Sequence, residues 1–356
     1  MIMTSSQAIS YSVIHHLGII SLHRHEALNA LNHAMIQSIQ LQLMQWENDA
    51  DIHAIVIKSE LERAFCVGGD IRAMHQLGST NRHAAMHFFR DEYRLNHFIH
   101  ALKKPYVALM DGLTLGGGVG ISLHGSHPIA TERFQFGMPE TTIGFFPDIG
   151  ASHLLNRCPD GFGIYLGLTG NYLDAFRAKR MGLVSDVVDS SSMSAIISTL
   201  TTLDLSHNPH QRITEALTPF RAKTPTHAIN EPITPADWFL NPSMPAIMDA
   251  LMRDPRPIAQ ETHQLLQKKS PTSLQVTFER LQRAKNQNVR NCFEMDYTLA
   301  YHFLQHHDLY EGVRARLIDK DNTPHWKPSS LSTLTNADIN HYFNPPPASI
   351  PSFWDA

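Results

Sequence analysis

Residues 105–120 read PYVALMDGLTLGGGVG, and this stretch decides the type of fold that the sequence favours. Pro105 to Met110 is a short, mainly apolar run, which is typical of a strand buried on both faces. Asp111 to Gly120 is typical of a glycine-rich loop, and Val119 to His124 is typical of the start of a helix. A buried strand, a glycine-rich turn and a helix in this order predict one unit of a layered α/β fold.

The same order of features occurs nearer the start of the chain. Ala54 to Ile57 is a second short apolar run, and it precedes the glycine-bearing loop Ala64 to Asp70 and a helix-like segment from Ile71. Much further along, the pattern from Ala246 to His307 is mostly helical. We therefore predict an α/β core with the active site over residues 10–200, a mainly helical C-terminal region over 201–345 and a short tail over 346–356.

Two local predictions concern the C-terminal half. Ser270-Pro271-Thr272-Ser273 breaks the helical pattern, and its serine or threonine is suited to capping a helix that starts near Leu274. Residues 205–232 are polar and contain several prolines, which favours a surface loop.

Composition excludes several classes of function. A net charge of -4, without aromatic residues interleaved among Lys/Arg runs, argues against a nucleic-acid-binding protein. No stretch approaches 18 consecutive apolar residues, so we expect no membrane span. Three widely spaced cysteines without a CxxC motif favour a reducing compartment, and we expect the cytoplasm. The histidines, although numerous, form no HExxH motif, so we predict no metal site.

Two glycine-rich loops each lie between a predicted strand and a predicted helix. They are Val67-Gly68-Gly69-Asp70 and Leu115 to Gly120, and neither contains GxxxxGK[ST] or GxGxxG. Helix N-termini offer free N–H groups, and two of them aimed at one point would form an oxyanion hole for an acyl oxygen. The simpler alternative, that the glycines only permit tight turns, stays open for each loop taken alone.

Glu140 and Asp148 are the only charged residues between Gly137 and Gly150. Apolar surroundings raise the pKa of a carboxyl group, as acid–base chemistry at neutral pH requires. For Glu140 alone, a solvated or capping role stays open. For Glu92, the residues by themselves favour a helix-surface glutamate paired with a nearby Arg or Lys.

The glycine loops and the glutamate loop resemble the three signatures of the crotonase superfamily in order and in spacing. The matching segments are Ala64 to Arg72, Asp111 to Gly118 and Met138 to Gly144. The resemblance implies a spiral of ββα units with a helical C-terminal region. It also implies that the oxyanion donors are the backbone N–H groups of Gly69 and Gly117.

Within the superfamily, motifs spread over residues 10–345 resemble a subgroup of acyl-CoA thioester hydrolases. These motifs are Phe88 to Tyr93, Gly116 to Gly120, Phe146 to Gly150, Ser270 to Leu274, Glu311 to Asp321 and Trp326 to Pro328. The resemblance implies hydrolysis of a short-chain 3-hydroxyacyl-CoA, 3-hydroxyisobutyryl-CoA above all, in valine breakdown. This reaction needs no metal or redox cofactor, since CoA arrives as part of the substrate. The resemblance leaves open whether the protein forms a homo-oligomer.

The resemblance also implies roles for individual residues. Glu140 would act as general base on water or as nucleophile through a mixed anhydride, and Asp148 would orient the water or hold the substrate hydroxyl. Glu92 and Gly117 join these two as substrate-binding positions.

Two alternatives stay open. An enoyl-CoA hydratase resembles the chain at Glu140 but carries a second glutamate where this chain has Gly120, whereas an isomerase would work with Glu140 alone. A non-catalytic acyl-CoA-binding protein is the other alternative. The presence of Glu140, Asp148, Gly69 and Gly117 argues against it.

Overall fold

The computed structural model describes residues 4–5, 8–225, 237–348, 350 and 352–354. These residues group into two units that are each discontinuous in sequence. One contains the described residues within Met1–Gly69, Arg94–Gly137 and Tyr172–Glu231, and the other those within Asp70–Tyr93, Met138–Asn171 and Pro232–Ala356. The units do not follow a cut at residue 200, and the boundaries 10–200, 201–345 and 346–356 stay a prediction. Part of the predicted tail lies outside the described residues.

The first unit contains all the described strands, in two sheets. In chain order the strands are β1 Thr4–Ser5, β2 Ile9–Ile14, β3 Leu17–Leu22, β4 Ala54–Ser59, β5 Ala64–Cys66, β6 Tyr106–Met110, β7 Leu113–Leu115, β8 His127–Thr131, β9 Gln135–Gly137, β10 Leu173–Asp174 and β11 Asp186–Val188. The larger sheet has the order β1-β2-β3-β4-β6-β8-β11, and the smaller β10-β9-β7-β5. From β3 to β11 the larger sheet is parallel, whereas β2 and β3 form an antiparallel hairpin.

The described α-helices number fifteen. They are α1 His33–Asn48, α2 Ile71–Thr80, α3 Arg82–Ala101, α4 Gly117–Leu123, α5 Ala151–Leu155, α6 Phe162–Thr169, α7 Ala175–Arg180, α8 Met193–Thr202, α9 Pro209–Leu217, α10 Met244–Arg253, α11 Pro257–Gln267, α12 Pro271–Ala284, α13 Val289–Phe303, α14 His307–Val313 and α15 Asn336–His341. The mixture of parallel strands and helices confirms the predicted α/β class, and the helices after Met244 confirm the predicted helical character of the C-terminal part.

The parallel strands form where the sequence is continuously apolar. Every residue of β3 and of β6 is buried, which fits strands covered on both faces. Beneath the larger sheet, side chains of β3, β4, β6 and β8 pack with those of α8 and α9. Helix α1 begins after Asn32, whose side chain accepts a hydrogen bond from the Met35 N–H at 2.9 Å.

Helix α12 confirms the predicted cap, with a start three residues earlier than expected. The Ser270 hydroxyl accepts a hydrogen bond from the Ser273 N–H at 3.1 Å, and Pro271 is the first helical residue. Proline is well suited to this position because the first N–H of a helix has no intrahelical acceptor.

The prediction of a surface loop over residues 205–232 is wrong at Pro209–Leu217, where α9 forms. Pro209 opens this helix rather than interrupting it, and Ile213 and Leu217 bury one face. The remainder of the prediction from residue 226 lies outside the described residues. Among the helices that are described, each is too short or too polar to cross a lipid bilayer.

Candidate active site

The two predicted glycine loops lie against each other in the first unit. Each follows one of two adjacent parallel strands, β5 and β7. Gly68 has a φ of +105°, and a Cβ built on it would lie 3.4 Å from the backbone nitrogen of Gly117. A Cβ on Gly118 would lie 2.2 Å from the carbonyl oxygen of Cys66, so only glycine fits there. The glycines therefore permit close approach of two backbones as well as tight turns.

The N–H groups of Gly69 and Gly117 are both available as donors. The carbonyl oxygen of Gly68 accepts a hydrogen bond from the Leu31 N–H at 2.7 Å. Because a trans peptide is planar, this bond also fixes the N–H of Gly69, which points the opposite way. Gly117 is the first residue of α4, where an N–H has no acceptor within the helix. The hydrogen bonds of the described residues include none donated by either group.

The thiol of Cys66 in the first loop is a packing group. It is buried, and its sulfur donates a hydrogen bond to the Asn29 carbonyl at 3.0 Å. A thiol in this position is directed toward the protein's own backbone.

Glu92, Glu140 and Asp148 come together in the second unit. Their exposed fractions are 2%, 8% and 6%. Glu92 lies on α3, Glu140 opens a 3-10 turn and Asp148 lies in the loop before α5. Among the described residues, Oε1 of Glu92 and Oε2 of Glu140 have no hydrogen-bond partner. The alternatives of a surface pair for Glu92 and a solvated role for Glu140 are therefore wrong.

Burial is the main electrostatic influence on all three carboxyl groups. It raises the pKa of Glu140 and of Glu92 well above the usual range, and the charge of Asp148 raises both further. The pKa of Asp148 rises to about 7, chiefly through burial, while a hydrogen bond from the Tyr93 hydroxyl lowers it. The three carboxyl groups thus raise one another's proton affinity, and Asp148, with a pKa of about 7, can exchange a proton near neutral pH, as general acid–base catalysis requires.

Four further residues at the carboxylates were not predicted from the sequence. The Tyr93 hydroxyl donates to Oδ2 of Asp148 at 2.7 Å. Arg280 and Asp296 form an ion pair in which both side chains are 0% exposed, and the Lys269 ammonium donates to the Thr142 hydroxyl. One sequence signal could have identified two of them. Arg280 on α12 and Asp296 on α13 are charged residues on the buried face of a helix, where charged side chains are rare.

Known proteins resemble the chain over nearly its whole length. A family model described as enoyl-CoA hydratase/isomerase matches residues 17–343. The mitochondrial 3-hydroxyisobutyryl-CoA hydrolase of Bos taurus is 38% identical over 92% of this chain and 86% of its own length. The proteins of that name from Rattus norvegicus and Homo sapiens are 39% and 37% identical over the same shares.

This chain belongs to the 3-hydroxyisobutyryl-CoA hydrolase family of the crotonase superfamily. Two solved structures confirm the crotonase fold. A carnitinyl-CoA dehydratase from Mycobacterium thermoresistibile is 31% identical with a TM-score of 0.88, covering 96% of this chain and 98% of its own. An enoyl-CoA hydratase from Rhodobacter sphaeroides 2.4.1 is 33% identical with a TM-score of 0.86, covering 95% and 98%. Because these two proteins are named for other reactions, the fold alone does not separate this hydrolase family from hydratases.

The surroundings of Gly120 do bear on that distinction. A Cβ built on Gly120 would lie 2.6 Å from Nδ2 and 2.7 Å from Oδ1 of Asn96. Any side chain at position 120 would therefore displace the Asn96 amide. The space that a second glutamate would need is occupied in this member of the hydrolase family.

The described residues contain no group of three or more His, Cys, Asp or Glu side chains arranged to hold a metal ion. The predicted independence of metal and redox cofactors stays a prediction. The assignment of Gly69, Gly117, Glu92, Glu140 and Asp148 to catalysis and binding also stays a prediction, supported by the two clusters described above.

Proposed function

We propose that this protein hydrolyses 3-hydroxyisobutyryl-CoA to the free hydroxy acid and CoA. The observation that carries the proposal is the group of buried carboxyls, Glu92, Glu140 and Asp148, in a chain whose curated relatives are named for this activity. Burial raises the pKa of all three groups, and that of Asp148 to about 7, so Asp148 can exchange a proton with water at neutral pH. The reaction needs no metal or redox cofactor, since CoA is part of the substrate.

The backbone donors stabilise the negative charge that develops on the thioester oxygen. The N–H groups of Gly69 and Gly117 donate to this oxygen as water adds to the carbonyl carbon. Removing one such donor typically lowers the rate by about 10²–10³. The tetrahedral intermediate then collapses, the C–S bond breaks, and the CoA thiolate takes up a proton.

Glu140 serves the attacking oxygen in one of two ways. As general base it removes a proton from water while the new C–O bond forms. As nucleophile its carboxylate displaces CoA to give a mixed anhydride, which water then hydrolyses. Asp148 orients the water or holds the substrate hydroxyl, and Glu92 binds the acyl part. Mass spectrometry of rapidly quenched enzyme separates the two routes, because only the second places an acyl group on the Glu140 peptide.

The deciding experiment follows free thiol release from 3-hydroxyisobutyryl-CoA and, in parallel, loss of the enoyl absorbance of crotonyl-CoA. We expect rapid thiol release, little change with crotonyl-CoA, and loss of turnover in Glu140→Gln. An exposed-carboxyl control, Glu261→Gln, should match the wild type. Loss of the enoyl signal without thiol release would instead make the chain a hydratase. Saturable binding of the thioester without turnover would make it an acyl-CoA-binding protein.

Location and assembly are part of the proposal. We place the enzyme in the cytoplasm, where thiols persist, and among the described residues the three cysteines form no disulfide. The curated relatives cited above carry the word mitochondrial in their names. A homo-oligomer is to be tested by light scattering of the purified protein.

A further inference from the structure

The backbone directly after Asp148 adopts an unfavourable conformation. Ile149 has a φ of +53° and Gly150 a φ of +71°. A β-branched residue in the left-handed region is an outlier, and such strain persists only where the surrounding structure over-determines it. Phe145, Phe146, Ile149 and Ala151 are all buried, so the loop is held within a packed interior.

Three side chains hold this loop on both sides of the strained residue. Before it, Oδ2 of Asp148 accepts a hydrogen bond from the Tyr93 hydroxyl at 2.7 Å. After it, Oδ2 of Asp296 accepts a hydrogen bond from the Gly150 N–H at 2.7 Å. Oδ1 of Asp296 in turn accepts from Nε of Arg280 at 2.5 Å. Arg280 thus orients the carboxylate of Asp296, and that carboxylate in turn holds the backbone at Gly150.

A buried ion pair is not explained by stability alone. Replacing such a pair with apolar side chains of similar volume is often neutral or stabilising. Here the pair supplies a charged acceptor to a loop N–H two residues from Asp148, which an apolar pair would not do. A role in holding this loop therefore accounts for an ion pair in a fully buried position.

The charged and titratable groups that face Asp148 lie on four elements. Glu92 and Tyr93 lie on α3, Arg280 on α12, Asp296 on α13, and Glu140 in its 3-10 turn. Among the contributions to the pKa of Asp148, burial is largest, the Tyr93 hydrogen bond and Arg280 lower it, and Asp296 raises it. Tyr93 and Asp296 therefore act on Asp148 in opposite directions.

We propose that Tyr93, Arg280 and Asp296 are positioning residues that hold Asp148 in its reactive orientation. The inference rests on the proposed function, because it requires Asp148 to act on the water or on the substrate hydroxyl. It adds to that function a set of residues that touch neither.

Tyr93→Phe removes one hydroxyl and leaves the buried ring. We expect kcat for 3-hydroxyisobutyryl-CoA to fall by about 10- to 100-fold, as misplacement of a reacting group does, with a much smaller change in KM. Loss of the hydrogen bond raises the pKa of Asp148, so the acid limb of the kcat/KM profile moves to higher pH. Tyr310→Phe is the matched control, since its hydroxyl donates to the Leu304 carbonyl at 2.9 Å, and it should change neither quantity.

Asp296→Asn keeps an oxygen that can accept from the Gly150 N–H but removes the negative charge. The pKa of Asp148 then falls, because the charge that raised it is gone and the Arg280 cation stays. The acid limb should move to lower pH, opposite to the shift in Tyr93→Phe. Opposite shifts are a signature that a merely structural role would not give.

A double variant keeps the inference testable if Asp296→Asn does not fold. The double variant Arg280→Met, Asp296→Leu removes both charges together, so no unpaired charge is left buried. We expect it to keep a thermal midpoint close to that of the wild type and to lose kcat, because the Gly150 N–H has lost its acceptor.

Asp148→Asn separates failure of this inference from failure of the proposed function. If Asp148→Asn releases thiol at the wild-type rate, the proposed role of Asp148 is wrong. If Asp148→Asn is inactive while Tyr93→Phe and the double variant keep the wild-type kcat and pH profile, the positioning inference is overturned and the proposed function stands.

Discussion

Lys269 is a buried cation that lowers the pKa of a neighbouring carboxyl, Glu140. Its side chain is 5% exposed, and burial lowers its pKa to about 8. Burial and the charge of Asp148 raise the pKa of Glu140, whereas a backbone hydrogen bond and the charge of Lys269 lower it. The proton affinity of Glu140 is therefore a balance of opposing effects, and Lys269 is the cation that keeps it from rising further.

Lys269→Met tests that balance. Removing the cation raises the pKa of Glu140, so the ionised form that acts as base or nucleophile appears only at higher pH. The acid limb of the kcat/KM profile should shift upward in pH, with activity partly recovered on the alkaline side. The neighbouring Lys268 is exposed, so Lys268→Met is the control and should leave the limb in place. Identical profiles for the two variants would mean that Lys269 does not act on Glu140.

The sequence identifies some of these residues and not others, for a physical reason. Glu140 and Asp148 stand out because their own loop holds no other charge. Lys269, Arg280 and Asp296 lie more than a hundred residues further along the chain, and nothing in their local pattern says which loop they face. Only the folded chain shows that one carboxylate, Asp296, serves the backbone beside Asp148.

At the scale of elements, the close packing of α4 determines where its glycines are required. A Cβ on Gly118 would meet the backbone carbonyl of Cys66, which is part of β5 and has little freedom to move. A Cβ on Gly120 would meet the side chain of Asn96, which can adopt other rotamers. The two glycines thus face obstacles of different kinds on one helix.

We expect Gly118→Ala and Gly120→Ala both to lower the free energy of unfolding, by about 1–3 kcal/mol as overpacking does. Truncation by Asn96→Ala should recover stability in the Gly120→Ala background but not in the Gly118→Ala background. Urea unfolding of the single and double variants gives the coupling energy. Additive effects of Gly120→Ala and Asn96→Ala would show that the Asn96 amide does not occupy this space.

Elements of different length were predictable to different degrees. The apolar runs that become β4 and β6 are long enough to be recognised by composition. Strands β5 and β7 have three residues each and were predicted as loop, because so short a segment carries no alternation and forms only through its parallel partner. Helix α9 was missed because its opening proline was interpreted as a loop signal.

At the scale of the whole molecule, ionisation of the buried carboxyl groups in the site lowers the stability of the fold. A carboxyl whose pKa is raised on folding binds more protons in the folded state than in the unfolded chain. Stability from such a group is therefore lost as pH rises from the unfolded pKa toward the folded one. For Asp148 that window runs from near 4 to about 7. Each unit of pKa difference corresponds to about 1.4 kcal/mol.

Asp148→Asn removes this penalty, because the amide does not ionise and its oxygen still accepts from Tyr93. We expect its thermal midpoint to exceed that of the wild type at pH 8, and the difference to shrink at pH 5. Glu261→Gln, at an exposed position, should show no such dependence. A gain of equal size at both pH values would point to packing rather than ionisation.

The alternation of the chain between two units has a consequence for how the protein is made. Segments 70–93 and 138–171 leave the ribosome long before the residues beyond 232 with which they group. At roughly 5–20 residues per second, that delay is on the order of 10 s. During this time the apolar faces of α2 and α6 lack the C-terminal helices that cover them, so we expect the nascent chain to expose apolar surface that chaperones bind.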